Sequence, residues 1–117
     1  MNNNSDQENG ITWREEAESV ISDVKFAVSG ISISEILPLT ERIVYLNIET
    51  KENRKMCLEM SPRGFRVVSE SFDVIDPEHL QNTKYYETLY SLLDTHSPQY
   101  RQLFGNALVN KLSKLQC

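Results

Sequence analysis

The chain has 117 residues, 39% of them apolar and 25% charged, and carries a formal net charge of −5. That length supports one soluble globular domain with a modest core, and leaves little mass to wall a deep catalytic cleft. The acidic balance argues against a nucleic-acid or anionic-membrane surface spread over the whole molecule, and no apolar run approaches the roughly 18 residues of a membrane span.

Residues 1–11 are polar and read as a disordered lead-in to a single domain over 12–117. The first residues combine neither a basic segment nor an apolar one, so no secretory signal is expected. Thr12-Trp13-Arg14-Glu15 is a capping box, in which hydroxyl and carboxylate satisfy reciprocal backbone amides. Ala17, Val20, Ile21, Val24 and Val28 then recur at helical spacing, and Gly30 stands where a left-handed C-terminal cap would fall. This predicts a helix over about 13–29.

The period then changes to two. Residues 31–36 form the first strand-like stretch. Val44, Leu46 and Ile48 alternate with polar neighbours, and so do Met56, Leu58 and Met60. Lys51-Glu52-Asn53 is a short polar link between these runs. Ser61-Pro62-Arg63-Gly64 is a turn with proline and glycine placed for it, and Phe65, Val67 and Val68 start another strand. Together they predict an antiparallel meander of three to four strands. Asp76-Pro77 signals a short helical turn, Tyr86, Leu89, Tyr90 and Leu93 a helix over about 85–94, and Ser97-Pro98 the start of a longer helix over 98–115. Helix, sheet and then helices, segregated rather than alternating, define an α+β fold with helices on one sheet face.

Catalytic chemistry finds little support. The four glycines are isolated and make no phosphate loop. A Cys57/His79 nucleophile pair has no local support, and Cys57 reads as a sheet residue with His79 exposed on a helix. His79 with Asp76 or Glu78 lacks a further ligand at metal spacing. No catalytic residue, metal or cofactor is expected. Lys51, Arg54, Lys55, Arg63 and Arg66 alternate with acids and have no stacking platform, so no nucleic-acid partner is expected either. The two cysteines, Cys57 and Cys117, are too few for a disulfide framework and fit a reducing cytoplasm or nucleus.

The C-terminal helix stands out. Phe104, Leu108, Leu112 and Leu115 fall at i, i+4, i+8 and i+11, with Val109 and Leu103 widening the apolar surface. Such a stripe ordinarily packs on its own sheet. Here it covers more than one face and runs almost to residue 117, the pattern of a helix lent to a partner's groove. Past Pro98 the charged residues are Arg101, Lys111 and Lys114, all basic. The first helix poses the same choice, its Val20, Ile21, Val24 and Val28 stripe covering the sheet or docking a partner.

The runs Tyr86-Glu87-Thr88-Leu89-Tyr90-Ser91-Leu92-Leu93-Asp94-Thr95, Ser97-Pro98, Tyr100-Arg101 and Phe104-Gly105-Asn106-Ala107-Leu108 come in one order. Glu16-Ala17-Glu18, Asp23-Val24, Phe26-Ala27-Val28, Asn47-Ile48-Glu49-Thr50-Lys51-Glu52 and Cys57-Leu58-Glu59 precede or join them. Over residues 13–115 they resemble the glycogen synthase kinase-3 beta interaction protein family, whose domain is called GSKIP. The resemblance implies a non-enzymatic protein that docks its C-terminal helix in the axin-binding groove of glycogen synthase kinase-3. It implies regulation or inhibition of that kinase, and with it of Wnt signalling. It makes Phe104, Leu108, Val109, Lys111, Leu112 and Leu115 the kinase-binding residues. Lys111 stands where the family usually has arginine, and Ser113 where it has glutamate; lysine keeps the charge but not the bidentate geometry. Vertebrate members also resemble anchors of the type II regulatory subunit of protein kinase A, which would use Val20, Ile21, Val24 and Val28. Lys25 stands in place of a leucine there, and a lysine head in an apolar groove predicts weak or absent anchoring. A related module occurs in the large clustered-mitochondria proteins; for so short a chain the small kinase-binding protein is the expected match.

Overall fold

The structure, a computed structural model, describes residues 12–115; the expected lead-in over 1–11 and Cys117 lie outside them. Helix α1 runs Trp13–Val24. The Thr12 hydroxyl accepts from the Glu15 N–H at 3.1 Å, and Glu15 Oε1 accepts from the Thr12 N–H at 3.1 Å, so the capping box is closed in both directions.

This helix stops short of the expected 29. Lys25–Ala27 tighten into a 3-10 turn and Val28 is extended. Gly30 opens a strand instead of capping a helix, and among the described glycines only Gly64 has positive φ. The reason lies in the core. The tighter turn drops both Ala27 and Val28 inside, and the Ser29 N–H then meets the Glu49 carbonyl at 2.8 Å to begin the sheet.

The sheet has four strands, β1 (Gly30–Ile33), β2 (Val44–Glu49), β3 (Lys55–Ser61) and β4 (Gly64–Ser69), in spatial order β1-β2-β3-β4. All neighbours are antiparallel, so the predicted meander is present with its fourth strand. β1 ends at Ile33 rather than 36 because the Ser34 hydroxyl accepts from the Ile36 and Leu37 N–H groups and turns the chain. Asn53 adopts φ 65° in the β2–β3 turn and Gly64 φ 121° after Pro62-Arg63.

One sheet face is apolar. Ile33, Val44, Leu46, Ile48, Met56, Leu58, Met60, Phe65 and Val67 form a single core with Ala17, Val24, Ala27 and Val28. The opposite face is polar and partly covered. There the Asp73 carboxylate accepts from Asn47 Nδ2 at 2.8 Å and from the Ser34 hydroxyl at 2.6 Å. Arg66 Nε reaches Glu59 at 2.8 Å, while the Tyr85 hydroxyl donates to the same carboxylate at 3.1 Å.

Helix α2 (Pro77–Leu80) is capped by Asp76, whose carboxylate accepts from the Glu78 N–H at 3.0 Å. Helix α3 spans Leu89–His96, four residues later than the expected 85. Tyr86 therefore shares no helical face with Leu89, Tyr90 and Leu93. Its backbone instead pairs with Phe65 through two hydrogen bonds of 2.8 and 2.6 Å, occupying part of the open edge of β4. Thr88 is extended and its hydroxyl caps α3 at the Ser91 N–H. Helix α4 runs Pro98–Leu115, as predicted. Leu89, Leu92, Leu93 and Tyr100 carry α3 and the root of α4 into the core, and a fully buried leucine stabilises such packing by about 1.5–3 kcal/mol.

Candidate functional site

Helix α4 is two different objects along its length. Its root is built into the domain. Ser97 is fully buried, and its hydroxyl accepts from the Tyr100 N–H at 3.1 Å as an N-cap. Glu52, from the β2–β3 turn, grips the same point. Its carboxylate accepts from the Ser97 hydroxyl at 2.8 Å and from the Gln99 N–H at 2.9 Å. Partial burial pushes the Glu52 carboxyl up, but the bonds from Gln99, Ser97 and Thr50 outweigh it and hold it below its ordinary value. On the outer side Arg101 Nε pairs with Asp94 at 3.1 Å, and its Nη2 donates to the Asp94 carbonyl at 2.8 Å. The Tyr100 phenol is pushed up to about 12, by burial first and then by Tyr90 and Asp94.

Beyond Gly105 the helix leaves the domain. Every described side chain from Asn106 to Leu112 is exposed, on all faces of the helix. Leu108 is 48% exposed, Val109 60% and Leu112 57%, with Lys111 beside them. Isolated exposed leucines are ordinary, but three apolar residues exposed together on one helix, outside the core cluster of the described residues, form an unfilled face. Phe104 sits at the boundary. It is half-buried, stacked on Tyr100 at 5.6 Å and tilted against Tyr90 at 5.4 Å and Phe26 at 6.5 Å. Of the six residues expected to bind the kinase, four (Leu108, Val109, Lys111 and Leu112) thus project freely, and Phe104 anchors the stripe to the body. The Leu115 side chain lies outside the described ones.

The first helix resolves the other way. Val24 and Val28 are buried, and Val20 and Ile21 are half-buried against the same core. A partner that needed Val24 and Val28 would have to open the domain, and Lys25 is exposed beside them.

The candidate reactive residues are not brought together into a site. Cys57 is buried on the polar sheet face, where burial raises its thiol despite backbone hydrogen bonds from Val74 and Asp73. His79 is less exposed than expected. Its Nε2 lies 3.3 Å from Glu70, and its Nδ1 is buried without a partner. Glu70 in turn binds Arg54, whose Nη1 lies 3.1 Å from His96 Nδ1. No group of three potential metal ligands occurs among the described residues, and no described helix is long and apolar enough to cross a membrane.

Two features escaped sequence reasoning, the Glu52 grip on α4 and the ring of aromatics at its root. The Glu52 grip and the contact of Phe26 with Phe104 join residues tens of positions apart, which no local spacing signals; only the Tyr100–Phe104 pair lies at helical spacing.

A small α+β body that holds out a helix with an exposed apolar face has the form of a protein-interaction domain. Residues 13–115 match the GSKIP domain, and the chain belongs to that family. It is 50% identical to the GSK3B-interacting protein of Homo sapiens over 103 residues, 88% of this chain and 73% of that one. The GSK3B-interacting protein of Mus musculus is 50% identical over 101 residues, 86% of this chain and 71% of the relative. The Protein GSKIP homolog of Drosophila melanogaster is 30% identical over 98 residues, 84% and 82% of the two chains.

Proposed function

We propose that this protein binds glycogen synthase kinase-3 without catalysing a reaction itself, by laying the exposed face of α4 in a hydrophobic groove of the kinase. The observation that carries the reading is the run of exposed apolar residues, Leu108, Val109 and Leu112, on a helix rooted in the domain but free of it beyond Gly105. The names of the relatives supply the partner. Docking there competes with axin-type scaffolds for the groove and so redirects or inhibits the kinase without touching its nucleotide site. Lys111 offers a cation to an acid at the groove's rim. The buried free thiol of Cys57 suits a reducing compartment, cytoplasm or nucleus.

The test is Leu112→Ala in the full chain, titrated against the kinase by calorimetry. Because Leu112 is largely exposed, its truncation leaves the melting temperature unchanged, while loss of a buried anchor weakens binding roughly tenfold. Unchanged affinity in a folded variant refutes the groove contact. A lowered melting temperature would instead make the stripe part of the core.

A further inference from the structure

The apolar stripe drifts only gradually around α4 as the helix leaves the domain. Tyr100, Phe104, Leu108 and Leu112 are four residues apart, so each step turns only about 40° around the helix and advances about 6 Å. Phe104 shows which side that is. Its ring lies against Tyr90 of α3 and Phe26 of the 25–27 turn. Leu108, about 40° round from Phe104, therefore overhangs the same side of the molecule as those two aromatics, and Leu112, about 80° round, lies at the edge of that side.

Both aromatics are open to solvent, Phe26 at 49% and Tyr90 at 38%. Beside them a cleft of about 240 Å³ is lined by Tyr90, Ser91, Asp94, Tyr100 and Phe104. The hydroxyl of Tyr100, in a residue only 1% exposed, is buried without a hydrogen-bond partner among the described residues.

A groove that holds a helix must embrace a cylinder about 10–12 Å across. A rim that closes over Leu108, about 6 Å along the helix from Phe104, comes close to the two aromatics that Phe104 touches. We infer that the kinase contact extends past α4 onto the body of the domain, with Phe26 and Tyr90 forming an aromatic shelf against the rim of the groove that holds Leu108 and Leu112. This rests on the proposed kinase docking. It adds that the domain is part of the interface as well as a handle for the helix. Exposed aromatics next to a docked helix are the residue type that carries binding energy at interfaces.

The experiment uses the full chain and the kinase, with Phe26→Ala, Tyr90→Ala and Leu112→Ala measured side by side, each with its melting curve. The shelf variants are expected to weaken binding at least about fivefold while remaining folded. If Leu112→Ala weakens binding and both shelf variants bind as the native chain does, the shelf is refuted and the docked helix stands. If Leu112→Ala has no effect, the helix reading fails. The shelf falls with it unless its own variants weaken binding, which would move the interface onto the body. Should a shelf variant melt early, 3-fluorotyrosine at position 90 of the otherwise native chain decides. Its fluorine resonance shifts or broadens on adding kinase if the shelf is covered, and an unmoved resonance at saturation overturns the proposal.

Discussion

Removing the carboxylate of Glu52 isolates the force that roots α4. Two donors converge on it, the Ser97 hydroxyl and the Gln99 N–H. Gln99 is exposed and finds water when the carboxylate is gone, so its share is about 0.5 kcal/mol. Ser97 is fully buried, and its hydroxyl left without an acceptor costs about 1–2 kcal/mol. Glu52→Ala is therefore expected to destabilise the domain by about 2 kcal/mol, a fall in Tm of roughly 8 °C for a chain of this size. Glu52→Gln keeps an oxygen acceptor and loses only the charge against the helix dipole, about 0.5–1 kcal/mol. The acid dependence follows from the lowered carboxyl. Its contribution is complete above the ordinary value of 4.5 and disappears as pH falls through the lower folded value. The gap in Tm between the native chain and Glu52→Gln therefore closes on going from pH 6 toward pH 3. Thermal melts followed by circular dichroism, with amide exchange over residues 99–105, measure both effects. A gap near zero at neutral pH, or one that persists in acid, refutes the reasoning.

Gly64→Ala places a side chain at φ 121° with its Cβ colliding with the Tyr86 carbonyl, so urea denaturation should show a loss of about 3 kcal/mol and the pairing of Phe65 with Tyr86 should break. Burial lowers His96 first, the adjacent Arg54 lowers it further with a small contribution from His79, and Glu70 opposes them. The unfolded chain therefore takes up a proton near 6.5 that the folded one refuses, and stability declines as pH drops below that value. His96→Gln should flatten that decline between pH 6.5 and 5, and an NMR titration of His96 should place its midpoint below 6.5. Cys57, buried with a raised thiol, should resist iodoacetamide in the native chain at pH 8 and react only at the rate of unfolding, as mapped by peptide mass spectrometry.

The sequence exposed the periods and the punctuation, and these carried most of the fold. The capping box at Thr12, the alternation in β2 and β3, and the starts of α2 and α4 at a proline that follows a capping residue all appear where their chemistry requires. Boundaries failed where a long-range partner overrode a local signal. Helical spacing ran on through Val28, but the sheet claimed Ser29 and Val28 for pairing and packing. Tyr86 lay at helical spacing from Leu89 and Tyr90, but the open backbone of β4 outcompeted the helix for its amide. The apolar stripe of α4 was visible as a pattern. Its division into a buried root and a free arm was not, because that depends on where the sheet and α3 end in space. Glu52 read as a polar hairpin residue, since a carboxylate that caps a helix 45 residues later leaves no trace in its own neighbourhood.

The order of the strands has a kinetic consequence. Every strand pairs with its neighbour in sequence, so each pairing closes a short loop and costs little chain entropy. Domains dominated by such local pairings fold faster than those needing distant strands to meet. The sheet can zip up hairpin by hairpin without waiting for α4, which docks by its root onto a surface already made. Losing the outer turns of α4 should leave the folding rate almost untouched, so the arm can vary in sequence without slowing folding.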